Sequence, residues 1–123
     1  GIGGLGDGND KYNTVIGNVC RRNGRAGITM ATSGHNTVTG NLCLDNSRSA
    51  PGQHPGILVQ DTTDNVITGN RCSNSEEPPT QKHGIEEKGS SDRNLISGNY
   101  CRGNLAEGVV VVGKETEKGM NVQ

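Results

Sequence analysis

Residues 36–43 read NTVTGNLC, and nearly the same octet recurs as NTVIGNVC at 13–20, NVITGNRC at 65–72 and NLISGNYC at 94–101. Each copy has Asn first, an aliphatic residue third, Gly-Asn fifth and sixth, and Cys last. The starting residues Asn13, Asn36, Asn65 and Asn94 are spaced by 23, 29 and 29 residues. Self-similarity at such a period is the mark of a stacked repeat architecture.

A second marker lies between octets, at Gly27-Ile28, Gly56-Ile57, Gly84-Ile85 and Gly108-Val109. From Cys to this Gly the counts are seven, thirteen, twelve and seven. The extra residues are therefore expected at one position on adjacent coils, as two enlarged excursions, 44–55 and 73–83. Apolar residues alternate with others after each marker (Ile28 and Met30, Ile57 and Val59, Val109 and Val111). A period of two is a strand pattern. Gly and Asn punctuate each short strand, as tight turns require. No segment shows a sustained helical period.

Composition explains how such a chain folds. Hydrophobic residues are 28%, Phe and Trp are absent, Tyr numbers two and Gly 20. A round core of large side chains is excluded, and periodic apolar residues argue against disorder. A narrow solenoid needs only medium side chains, stacked on rungs about 4.8 Å apart. The four Cys share one repeat position, so they are expected as a buried column of free thiols. Stacked Asn amides are expected to bond along the axis. Net charge is −1, which offers no basic field for nucleic acid. No apolar run approaches the ~18 residues of a membrane span.

The recurring G-I-x-[VM] and N-x-[IV]-x-G-N-x-C strings resemble the right-handed parallel β-helix repeat family, the pectate-lyase-like fold of carbohydrate-active enzymes and phage tail spikes. The resemblance covers essentially the whole chain. It implies an all-β, single-domain, single-stranded right-handed parallel β-helix of about four to five coils over residues 1–123. It also implies an extracellular or cell- or virion-surface setting and a polysaccharide partner. Neither end shows a cap: after Val112 no Gly-Asn-x-Cys follows. A fragment of a longer β-helix, a homo-oligomer through open coil ends or lateral faces, or capping by the terminal residues themselves is therefore expected.

Long loops over a rigid scaffold are where function usually sits. The excursions and the adjoining marker strands define a face at 45–60 and 76–88. Asp45, Gln53, His54, Gln60, Glu87 and Lys88 are the expected glycan-binding residues. KHGIEE (82–87) resembles the His-Gly-Ile stretch of polygalacturonase-type β-helices, with only His83-Gly84-Ile85 matching. The paired aspartates of that mechanism are missing, and nothing sets the separation of Glu86 and Glu107. Lyase or epimerase chemistry on a uronic acid needs a base and a cation that neutralises the carboxylate. His83, Glu86 and Lys82 are the catalytic candidates, with His54 as another base and Lys88 or Arg25 as other cations. A non-catalytic structural or adhesive solenoid is the alternative. Glu87 takes the place of inward-facing Met30, Val59 and Val111, and an extra residue follows it, so a β-bulge is expected to turn it outward. No cofactor or metal is expected. GGLGDGND (3–10) resembles a calcium nonapeptide, but Asp7 and Gly8 stand at its fifth and sixth positions and no second copy exists, so a Gly-rich turn suffices.

Overall fold

A computed structural model describes residues 1–5 and 11–123. The calcium-like motif lies for the most part outside the described residues. Among the described residues there is no helix, and thirteen short strands follow one another. The first coils use β1 (Ile2–Leu5), β2 (Thr14–Ile16), β3 (Val19–Arg21), β4 (Ile28–Ala31), β5 (Thr37–Thr39) and β6 (Leu42–Leu44). The next use β7 (Ile57–Gln60), β8 (Val66–Thr68), β9 (Arg71–Ser73), β10 (Ile85–Lys88) and β11 (Leu95–Ser97). The last are β12 (Val109–Val110) and β13 (Glu117–Gly119).

Every strand pairing is parallel, and the strands form three stacked sheets. Sheet 1 runs β1-β4-β7-β10-β12, sheet 2 runs β2-β5-β8-β11-β13, and sheet 3 runs β3-β6-β9. The chain is a right-handed parallel β-helix. Its register aligns the repeats: Ile28, Ile57, Ile85 and Val109 form one column, and Val15, Val38, Ile67 and Ile96 another. These side chains, with Met30, Val59 and the four Cys, are the core.

The Cys are free and buried, with Cys20, Cys43 and Cys72 in strict register. Hydrogen bonding to Cys43 first, then burial, raises the Cys20 thiol above its ordinary value. Cys72 is raised well above it, by its bonds to Cys101 and Cys43 and then by burial. Cys43 accepts from Cys20 and Cys72, which lowers its thiol below the ordinary value against the opposing effect of burial. The surrounding core is Ile, Val and Met, so no core side chain offers a cation to balance a thiolate.

Each coil turns at polar corners. At the Gly-Asn corner, Gly17, Gly40, Gly69 and Gly98 have φ of 70°, 66°, 68° and 70°, the left-handed region that glycine adopts without strain. The Asn after each one joins an amide ladder, Asn18 to Asn41 to Asn70 to Asn99 to Asn121, with side-chain steps of 3.0–3.1 Å. Each Oδ1 also accepts the backbone N–H of the preceding Asn, as from Asn18 to Asn41 at 2.9 Å. Turn backbone that would otherwise be orphaned is thereby satisfied. A ladder not read from the sequence runs from Asn23 through Asn46 and Gln81 to Asn104, each step 2.9 Å.

That ladder corrects the placement of the excursions. Asn23, Asn46 and Asn104 each stand three residues after a Cys, but Gln81 stands nine after Cys72. The second insertion therefore precedes the ladder, while the first follows Asn46. They do not leave the solenoid at one position, although they touch: Thr80 Oγ1 donates to the Asn46 carbonyl at 2.8 Å.

Two further expectations are corrected. Sheet 1 keeps unbroken register through β10, pairing Glu86 with Leu58 and Glu87 with Val59, so no bulge turns Glu87 outward. It points inward and is 1% exposed. The extra residue is taken up at Gly89-Ser90, beside Asp61, which accepts the Ser90 N–H at 2.9 Å. Residues 116–123 are a fifth, degenerate octet. Thr116, Lys118, Asn121 and Gln123 fall where Asn94, Ile96, Asn99 and Cys101 stand one coil earlier.

Candidate functional site

The outer face of sheet 1 carries a cleft of about 320 Å³, lined by Arg25, Ala26, Thr29, His54, Leu58, Gln60 and Lys88. The strand period puts it there. Thr29 and Leu58 are register partners that point outward between buried Ile28, Met30, Ile57 and Val59. Gln60 and Lys88 are partners one outward position further on. Arg25 and Ala26 lead into β4, and His54 ends the first excursion. That excursion is fixed to the previous coil by Ser47 N–H to the Arg25 carbonyl at 2.8 Å. The Ser47 hydroxyl accepts the His54 N–H at 3.0 Å, and Lys82 N–H reaches the His54 carbonyl at 2.9 Å.

The cleft is cationic and supplied with hydrogen-bonding groups. No carboxylate lines it. Arg21, Arg22, Arg48 and Arg93 carry ion pairs, whereas the Arg25 guanidinium and Lys88 ammonium have no partner among the described residues. Leu58 and Ala26 supply apolar floor.

Of the expected site residues, His54, Gln60 and Lys88 meet in this cleft. Gln53 is exposed on the excursion beside it. Glu86 stands on the same outer face, in register with Leu58 and Val110, and is 8% exposed. No hydrogen-bond partner holds its carboxylate among the described residues. His83 is buried one coil below Pro55, with Nδ1 3.1 Å from both the amide nitrogen and the carbonyl oxygen of Glu107. Nδ1 is placed to accept the Glu107 N–H. Lys82 is half-buried and does not line the cleft.

Asp45 and Glu87 are engaged by the protein itself. Asp45 accepts from Ser75 N–H at 2.6 Å, Ser75 Oγ at 2.6 Å, Glu76 N–H at 3.0 Å and Arg21 Nε at 3.2 Å. Burial pushes its carboxyl up, but the Ser75, Arg21 and Glu76 donors outweigh burial and hold it below the usual aspartate range. The arginine cluster around Glu76 was not legible in the sequence, because Arg21 and Glu76 are 55 residues apart and follow no repeat position.

Fold and cleft define a parallel β-helix with a polar cleft on the outer face of one sheet. A family model described as "Periplasmic copper-binding protein (NosD)" matches residues 3–120, and the chain belongs to that family. No curated protein and no solved structure gives a significant match.

The family description raises copper. Copper sites need convergent thiolate, thioether or imidazole donors. Among the described residues no group of three or more His, Cys, Asp or Glu is placed to hold a metal. The sulfurs stand in single file in the core, at most 4% exposed. His35 is stacked on Tyr12, His54 lines the cleft and His83 is bound to Glu107. These donors do not converge, so the residues described do not fit a copper ion.

Proposed function

We propose that this chain is a polysaccharide-associated β-helix module that binds an extended glycan along the outer face of sheet 1. The observation that carries the reading is the cleft with Arg25 and Lys88, cations unpaired among the described residues, beside His54. Its lining suits an acidic sugar. A carboxylate sits among Arg25, His54 and Lys88, sugar hydroxyls bond to Gln60 and Thr29, and the C–H face lies on Leu58 and Ala26. The exposed excursion residue Gln53 stands beside the rim.

Processing of the glycan draws on the same face. Abstraction of the C5 proton of a uronate needs a base next to a cation. Glu86 and Lys88 supply those types at successive outward positions of β10, and His83 and Lys82 precede them. The family description names the periplasm, and we read the chain as working outside the cytoplasm. The thiols persist there because parallel Cβ vectors are poorly set for a disulfide and the column is sealed.

Calorimetric titration with polyuronate oligomers and their methyl esters tests the reading. Binding of the acid form, weakened in Arg25→Gln/Lys88→Gln, is expected. Absence of binding to either form sinks it. Ultraviolet absorbance of an unsaturated product, lost in Glu86→Gln, reports a lyase.

A second reading, an adhesive solenoid without chemistry, rests on the other faces. Outward positions of β2, β5, β8 and β11 carry no charge, and Ile16 and Val19 are 63% and 68% exposed. Lateral self-association in sedimentation, abolished by Ile16→Lys/Val19→Lys, favours it.

A further inference from the structure

Away from the cleft, three arginines surround one carboxylate. Arg21 Nη2 lies 2.9 Å from Glu76 Oε1, Arg22 Nη2 contacts the same oxygen, and Arg48 Nη1 lies 3.2 Å from Oε2. The residues come from different parts of the chain. Arg21 ends β3 and Arg22 follows it, Arg48 lies in the first excursion and Glu76 belongs to the second.

Holding the second excursion does not require this cluster. Its neck is already closed by Asp45, through the Ser75 and Glu76 N–H groups and the Ser75 hydroxyl. Asn74 closes the other side. Its Oδ1 accepts Thr80 N–H at 3.1 Å and Gln81 N–H at 2.9 Å, and its Nδ2 donates to the Gln81 carbonyl at 3.0 Å. Exposed ion pairs add little stability of their own.

The cluster is also undersaturated. Arg21 Nε adds one contact to Asp45 at 3.2 Å. Three guanidiniums against the carboxylates of Glu76 and Asp45 leave one positive charge. The arginine side chains are 43%, 56% and 47% exposed, and each guanidinium fork has N–H donors left over. Exchanging Glu76 for a dianion brings the cluster to neutrality: three positive charges against two, plus one on Asp45. A phosphate group presents oxygens to all three forks at once.

We propose that Arg21, Arg22 and Arg48 form a second ligand site, for a dianionic phosphate group, in which Glu76 is a displaceable internal stand-in. The ligand is inorganic phosphate or the phosphate monoester of a sugar. Binding frees the Glu76 side chain and lets the 77–79 tip move while the neck stays closed. The site is independent of the sheet 1 cleft, from which Arg21, Arg22, Arg48 and Glu76 are absent.

The test follows the arginine Nε–Hε resonances of the full chain during titration with sodium phosphate at fixed ionic strength. Wild type, Glu76→Gln and Glu76→Gln/Arg48→Gln are compared. Saturable shifts at Arg21, Arg22 and Arg48 are expected, with affinity about tenfold higher in Glu76→Gln and lost in the double variant. Glucose 6-phosphate and glucose form parallel arms. Tighter binding of the ester than of inorganic phosphate assigns the ligand as the monoester, and equal or weaker binding assigns free phosphate. If Glu76→Gln does not fold, wild type against Arg48→Gln decides. Shifts matched by chloride, or unchanged on loss of Arg48, overturn the proposal.

Discussion

Glu87 accepts the side-chain amide of Asn94 at 2.9 Å from within the core of the solenoid. The same carboxylate takes the Val112 N–H at 2.9 Å, the Gly113 N–H at 2.6 Å and the Thr116 hydroxyl at 2.8 Å. A charged residue in an inward column thus joins one amide ladder to the next coil. Glu87→Met strands these donors, at roughly 1–3 kcal/mol for each one left buried and unpaired. A lowered denaturation midpoint and fast amide exchange at Val112 and Gly113 are expected. Glu87→Gln is expected to lose less, since its Oε1 still accepts both backbone groups.

The marker glycines are required by close approach. A Cβ at Gly84 would lie 2.6 Å from both Cys101 Cβ and the Gly108 carbonyl oxygen. Gly84→Ala is expected to cost about 1–3 kcal/mol through overpacking. A Cβ at Gly98 meets nothing within 4 Å, so Gly98→Ala bears only the left-handed backbone, at about 1–2 kcal/mol. Denaturant unfolding of the two variants, paired with temperature melts, gives the comparison. Equal loss of cooperativity in both would show that packing at the marker is not limiting.

Acid should loosen the second excursion first. Asp45 is held below the ordinary aspartate value, because its Ser75 and Arg21 donors outweigh burial. A depressed carboxylate contributes stability above its unfolded value of about 4, and loses it as pH falls through the folded value. Proteolysis within 75–79 is therefore expected to accelerate below about pH 4 in wild type. In Asp45→Asn it should be fast already at neutral pH and less dependent on acid.

The thiol column should be silent in the native state. Cys43 and Cys72 are fully buried, and Cys20 and Cys101 nearly so. A thiol reagent is expected to label none of the four until denaturant is added, then all four together. Cuprous ion held by a chelator is expected to stay on the chelator until the same point. Stepwise native labelling would place the column nearer the surface than the register does.

Much of this architecture is legible in the octets. Equal letters at equal positions give register directly, so the Cys, Ile and Asn columns follow from counting. The outward positions of β4, β7 and β10 follow from alternation, which is how Gln60 and Lys88 are found. The remainder depends on contacts that counting does not reach. The interval from Cys72 to Gly84 gives a length but not where within it the chain rejoins the stack. Gln81 marks that point, and its extra methylene hides it among the Asn residues it succeeds. Glu87 breaks the apolar column in the sequence because its partners, the backbone N–H groups of Val112 and Gly113, leave no trace in side-chain identity. The degenerate octet at 116–123 was masked by polar residues at inward positions.

The most direct test of the sheet 1 ligand surface is amide chemical-shift mapping during titration with a tri-uronate. Saturable shifts centred on Thr29, Leu58, Gln60 and Lys88, and removed by Arg25→Gln/Lys88→Gln, are expected. Shifts confined to Thr39, Thr68 and Ser97 on sheet 2, or none at all, would contradict it.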